Sequence, residues 1–168
     1  RLVGVAYPDP NMDVGYRYDV APSECAIDES FAKGRLSEVL HDGGRTAYCY
    51  DRFGQVVRKA QSIQGVSSTV RYSYNKAGRL ASLTYPDGSV ADYMRDTLGR
   101  IQEIGLTSPG QAREIVVSGV TYAPFGAVTG WNYGNGRQLH RPLDLNYRQL
   151  AVHDPAPGGL SLSFGYDP

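Results

Sequence analysis

The chain has no net charge, one tryptophan, four phenylalanines and two cysteines in 168 residues. Seventeen basic and seventeen acidic side chains cancel, which excludes the electrostatic attraction that drives binding to nucleic acid or to an anionic membrane surface. No apolar run approaches the roughly 20 residues of a membrane helix. A dense disulfide framework is excluded by the cysteine count. No segment has the shape of an export signal, and the chain opens on Arg1; together these lead us to expect an excised piece of a longer polypeptide.

Tyrosine and glycine are abundant instead. Thirteen tyrosines give an aromatic surface that ends in hydroxyls, and tyrosine suits strands, where its ring packs on a pleated face while its hydroxyl reaches a polar partner. Twenty glycines, well above the usual ~7% share, imply many tight turns. Both abundances point to an all-β protein.

The turns are legible one by one. In Asp51-Arg52-Phe53-Gly54, the first-position aspartate and fourth-position glycine suit a type I turn. The carboxylate accepts backbone N–H bonds two residues on, and the glycine takes the positive φ that rejoins the next strand. Asn75 to Gly78 and Asp96 to Gly99 repeat the arrangement. In Ala123-Pro124-Phe125-Gly126 a proline supplies the preset φ and Gly126 the last position. Further signals stand at Asp42-Gly43-Gly44, Gln64-Gly65, Pro86-Asp87-Gly88, Ser108-Pro109-Gly110, Gly134-Asn135-Gly136 and Pro157-Gly158-Gly159. Including centres near 147, inferred from spacing alone, and near 167, turns recur every ~9 to 14 residues, the rhythm of consecutive antiparallel hairpins. Tyr48 and Tyr50, Val70, Tyr72 and Tyr74, and Val120 and Tyr122 alternate with smaller or polar residues at the period of a strand. We expect ten to twelve strands and no helix beyond two turns, although "ECAIDESFAK" (24–33) has room for a turn or two. One sheet face is expected to carry polar and tyrosyl side chains together.

"YCYDRFGQVVRK" (48–59), "YSYNKAGRLASLTYPDG" (72–88) and "YMRDTLGRIQEI" (93–104) resemble the tyrosine–aspartate (YD, or Rhs) repeat, in which an aromatic, one residue and Tyr-Asp precede Gly-Arg-Leu after two more residues. "YRYDVAPSECAIDESFAKGRLSEV" is similar to a variant with a cysteine-bearing insertion at 20–33. "VTYAPFGAVTGWNYGNG" resembles segments of bacterial Rhs proteins. The resemblance implies five to seven repeats over residues 1–168, forming a twisted, spiralling β-sheet that is part of a hollow shell. Such shells belong to Rhs polymorphic toxins, to the C component of Tc toxin complexes and, in related form, to teneurins. The implied role is the wall of an exported or cell-surface bacterial protein around a C-terminal toxin. Its partners are then the rest of the shell and that cargo, and its open edge strands favour self-association.

On this reading Asp51, Gly54, Asn75, Gly78, Asp96, Gly99 and Gly126 are turn residues, and Tyr18, Tyr48, Tyr50, Tyr72, Tyr74, Tyr122 and Tyr166 are structural aromatics. Catalytic, cofactor and metal residues are expected to be none. His41, His140 and His153 stand singly, without metal-ligand spacing. Ser118 and Ser163 lack a nucleophile elbow. The "GNG" at 134–136 opens no helix, so it is no dinucleotide fingerprint. Asp9/Asp13 and Asp28/Glu29 read as solvated pairs. For Cys25 and Cys49 two buried thiols are expected, with a disulfide as the alternative that export allows. The competing function is an adhesive or carbohydrate-binding surface, on which tyrosines and Trp131 stack against sugar rings.

Overall fold

The computed structural model describes residues 1–167. The expected turn centred near 167 runs into Pro168, outside the described residues. The chain divides into two compact units, residues 1–89 and 90–168. The first holds β1 (Gly4–Val5), β2 (Val14–Tyr18), β3 (Leu36–His41), β4 (Gly44–Tyr50), β5 (Val56–Ile63), β6 (Val66–Tyr74) and β7 (Leu80–Thr84). The second holds β8 (Val90–Arg95), β9 (Ile101–Thr107), β10 (Glu114–Tyr122), β11 (Val128–Tyr133), β12 (Gln138–His140), β13 (Ala151–His153) and β14 (Ser161–Ser163). Within each unit every strand pairs antiparallel with its neighbour in sequence. The fold is therefore all-β, built of consecutive hairpins. Helix is confined, among the described residues, to two three-residue 3-10 turns, Pro10–Met12 and Ile27–Glu29. Among the described residues no helix is long and apolar enough to cross a membrane. The strands exceed the expected ten to twelve because β1, β12, β13 and β14 are only two or three residues long, too short to show an alternating pattern.

Cross-strand partners share a face, so register assigns the faces of the first unit. The ladder Arg17–Glu38–Ala47–Ala60–Thr69 and the ladder Cys49–Arg58–Arg71 lie on one face. Tyr16–Val39–Thr46, Tyr48–Lys59–Val70 and Tyr72–Leu83 lie on the other. Tyrosines and arginines thus separate, because Arg71 and Tyr72 are neighbours in a strand and must point oppositely. Thr46 and Lys59 share the tyrosine face, so polar and tyrosyl side chains do lie together on one face. The core of this unit is small: Ala32, Ser37, Ala47 and Cys49 are 1% exposed and Tyr50 8%.

In the second unit Arg113 is the organising side chain. Its Nη2 reaches Asp92 Oδ1 at 2.7 Å and its Nη1 reaches Glu103 Oε1 at 2.9 Å. The guanidinium lies across Gly105, where a Cβ would meet it at 2.3 Å. A Cβ there would push the Arg113 guanidinium off its seat between Asp92 and Glu103.

Candidate functional site

The residues singled out by the repeat come together as a joint between successive hairpins. Asp51 N donates to the Gln55 carbonyl at 3.0 Å and Gly54 N to the Asp51 carbonyl at 3.0 Å. The Asp51 carboxylate accepts from the amides of Phe53 and Gln55, both at 2.9 Å. Asn75 holds Ala77 and Arg79 in the same way, and Asp96 holds Leu98 and Arg100. The closing glycines have φ of 82° at Gly54, 71° at Gly78, 79° at Gly99 and 96° at Gly126, a region that penalises any Cβ. Each turn feeds a register shift at the end of its hairpin, for instance between Cys49 and Tyr50 and between Ser73 and Tyr74, where the extra residue twists the strand.

The tyrosine that immediately precedes the turn acts on the hairpin before it. Tyr50 Oη donates to the Leu36 carbonyl at 2.6 Å, Tyr74 to Val56 at 2.8 Å, Tyr122 to Ile101 at 2.5 Å and Tyr166 to Gln149 at 2.7 Å. Every acceptor lies two residues past the closing residue of the preceding turn, namely Gly34, Gly54, Gly99 and Tyr147. Burial raises the pKa of Tyr50 and of Tyr74, the direction expected of hydroxyls that act as donors. In three joints the arginine after the closing residue lies over the ring: Arg35 on Tyr50 at 5.7 Å, Arg100 on Tyr122 at 4.6 Å and Arg148 on Tyr166 at 4.7 Å. Those stacks are worth about 0.5–1 kcal/mol each where exposed. Tyr18 carries Arg1 over its ring at 5.3 Å, while Tyr48 and Tyr72 stay on the face of the first unit opposite the arginines.

Three particulars of the joint were not legible in the sequence, although a turn near 147 and an insertion at 20–33 were both expected. The stacking arginines were visible only as the middle letter of Gly-Arg-Leu. The turn near 147 is Asp144 to Tyr147: Asp144 accepts from the amides of Asn146 and Arg148, both at 2.8 Å, and Tyr147 takes φ 63° in the glycine's place. An aspartate four residues before an arginine was the available signal. The third is the insertion, where Asp19 N donates to the Arg35 carbonyl at 3.1 Å, so the turn closes behind 20–33 as it does elsewhere around two residues.

That insertion lies on the arginine face. Cys25 and Cys49 form a disulfide with Cα atoms 5.5 Å apart, which corrects the expectation of two thiols. The cause is the chain path: Ser30 bridges to Tyr50 and Phe31 N donates to the Tyr50 carbonyl at 3.2 Å, bringing the insertion back onto β4. Glu24 pairs with Arg45. Glu29 Oε2 meets Arg58 Nη2 at 2.7 Å and its Oε1 meets Arg71 Nη1 at 2.8 Å. Asp28 and Glu29, read as a solvated pair, therefore part company.

Several carboxylates are held below their ordinary pKa. Hydrogen bonds from Arg113 do this to Asp92, those from Arg148 to Asp144, and the Ala156 amide followed by Arg137 to Asp154. All have structural partners. His140 and His153 face each other across β12 and β13, a pairing that sequence spacing did not show. Among the described residues no group of three or more His, Cys, Asp or Glu side chains could hold a metal ion. Trp131 stacks edge-on with Tyr133 at 5.8 Å.

Residues 50–90 match the RHS Repeat family model. No curated protein matches the chain. Among solved structures, that of TcdB2-TccC3 superposes with a TM-score of 0.76 over 97% of this chain at 16% identity. TcdB2-TccC3 without its hypervariable C-terminal region gives 0.71 over 93% at 15% identity. A mutant Tc holotoxin pore from Photorhabdus luminescens gives 0.69 over 92% at 15% identity. The likeness at this identity is one of fold. This chain spans only 9–10% of the length of those solved chains.

Proposed function

We propose that this chain, which carries RHS repeat sequence over residues 50–90 and shares the fold of a stretch of the Tc toxin structures, is a length of shell wall from an exported bacterial toxin. The shell would enclose the C-terminal toxin of the parent protein. Residues 1–168 would supply five to seven consecutive repeats, with 20–33 as an insertion in the first clear one. The observation that carries this reading is the joint: the tyrosyl hydroxyls of Tyr50, Tyr74, Tyr122 and Tyr166 each reach a backbone carbonyl of the hairpin before. The repeat's distinctive residues are spent on extending the sheet by one more hairpin, so its role is architectural and the segment needs no cofactor or catalysis of its own. A structure extended in this way has two ends, and β1 and β14 are the strands to which neighbouring wall, or a second copy, would add.

The test is expression of the parent protein with and without residues 1–168. Encapsulation requires that the C-terminal region be protease-protected and harmless to its producer only when the segment is present. Continued protection without it would overturn the reading.

An adhesive or carbohydrate-binding surface is favoured by one feature, a cavity of about 580 Å³ between the Asp51 and Asn75 turns, lined in part by Phe53, Tyr72 and Tyr74. Glycan-array binding that is lost in Phe53→Ala would support that role.

A further inference from the structure

We propose that residues 20–33 are a redox-released strap, and that Arg58 and Arg71 beneath it form an oxyanion clamp filled by Glu29 for as long as the Cys25–Cys49 bond holds. The turn does not need the strap, since Asp19 and Arg35 close it with the backbone bond that Asp51 and Gln55 make around two residues. What the strap does is cross β4, β5 and β6. It is bonded to β4 through Cys25–Cys49. It reaches β5 where Arg58 Nη1 donates to the Glu24 carbonyl at 2.5 Å, and it reaches β6 through Glu29 and Arg71. Its larger apolar side chains contribute little to this hold: Val20 is 75% exposed, Ile27 90% and Phe31 44%. Pro22 and Ala32 are its two buried residues, and the rest of the strap is held by one covalent bond, backbone contacts to Tyr50 and ion pairs.

Arg58 and Arg71 are direct cross-strand partners, a like-charge pairing that is unfavourable unless an anion lies between them. Each contacts a different oxygen of the Glu29 carboxylate, which bridges the two guanidinium groups. Oε2 meets Arg58 as an ion pair that leaves this oxygen without a hydrogen bond. Arg58 Nε is buried and has no hydrogen-bond partner. An oxyanion with a third oxygen would find a donor there that a carboxylate leaves unused.

Release is a thiol–disulfide exchange with a dithiol reductant. One thiolate attacks Cys25 Sγ, on the half-buried residue of the pair, and the Cys25–Cys49 bond breaks. Cys49 leaves as a thiolate and takes a proton. The reductant's second thiolate then displaces Cys25, which is protonated in turn, and the dithiol is oxidised to its own disulfide.

The experiment compares the oxidised protein, the protein reduced with dithiothreitol, and Glu29→Gln with its disulfide intact. Tryptic cleavage after Lys33 and the thermal midpoint with inorganic phosphate, against chloride at equal ionic strength, are read for each. Reduction should speed cleavage by about tenfold or more as the strap opens locally. Phosphate should raise the midpoint of the reduced protein and of Glu29→Gln by a few degrees, roughly, leave the oxidised protein unchanged, and lose its effect when Arg71→Gln is added. Unchanged cleavage on reduction overturns the strap. So does loss of the β-sheet circular dichroism spectrum on reduction, which would make the bond a plain staple of the fold. A phosphate response equal to that of chloride in Glu29→Gln overturns the clamp.

Discussion

Two turns of the first unit make the same backbone bond around very different lengths of chain. Between Asp51 and Gly54 stand two residues; between Asp19 and Gly34 stands the whole of 20–33. Yet Asp19 N reaches the Arg35 carbonyl at 3.1 Å and Asp51 N the Gln55 carbonyl at 3.0 Å. Both turns also lead to the same joint, since Tyr50 seats on Leu36 and Tyr74 on Val56. The aspartate, the closing glycine and the next tyrosine define the module, and the number of residues between the first two is free. Loop-closure entropy grows slowly with length, which is why an insertion is tolerated at that place. The insertion in turn needs its own fastening, which the disulfide and the glutamate pairs provide.

The largest effect that separates the two turns should come from the fastening. Cys25→Ala/Cys49→Ala should lose about 3 kcal/mol of unfolding free energy, from the chain-entropy cost of a loop this long, measured by urea titration of the oxidised wild type and the variant. A loss under ~1 kcal/mol would mean that the ion pairs alone hold the insertion.

Glycine substitutions come next. Gly54→Ala should cost about 2 kcal/mol: its φ of 82° opposes a Cβ, and that Cβ would displace the Arg35 guanidinium from Tyr50. Gly126→Ala, with φ 96° and nothing within 4 Å of the added carbon, should cost only about 1 kcal/mol, from the backbone alone. Equal losses would show that the arginine stack adds nothing to the module.

Tyr74→Phe should lose about 1 kcal/mol by leaving the Val56 carbonyl without its donor, and Tyr122→Phe a similar amount at Ile101. A neutral result in both would break the claim that the hydroxyl joins successive hairpins.

The gentlest test is pH. Asp92, Asp144 and Asp154 have folded pKa values below their ordinary ones, so their contribution is present above the unfolded carboxylate pKa. It is lost as pH falls below about 4 and through the folded values. The thermal midpoint should therefore be flat near neutrality and decline in acid, with a shallower decline in Arg113→Gln, where Asp92 has lost its partner. An acid profile identical in that variant would remove Arg113 as the cause.

Much of the fold was legible because its determinants are local. Asp51, Asn75 and Asp96 reach amides two and four residues on, and Gly54, Gly78 and Gly99 supply a conformation that depends on the absence of a Cβ. Alternation in 70–74 shows a strand without reference to any partner. The Asp144 turn was harder to see, because Tyr147 occupies the glycine's position and carries a conformational penalty that its own turn bonds and its ring contact with Phe125 at 5.6 Å offset. The histidine pair was invisible because its members lie on different strands, and strand register depends on turn geometry along the intervening chain.

The sequence by itself determined the all-β class, the order of the hairpins and the repeat, since each follows from side chains acting on backbone within a few residues. Only the tertiary structure decided that Tyr50 caps Leu36, that Cys25 meets Cys49 and that Glu29 sits between Arg58 and Arg71. Those contacts join residues 14, 24 and 29 to 42 positions apart, and such pairs are set by register and by which face each strand presents. Local preferences do not encode either one until the sheet has formed.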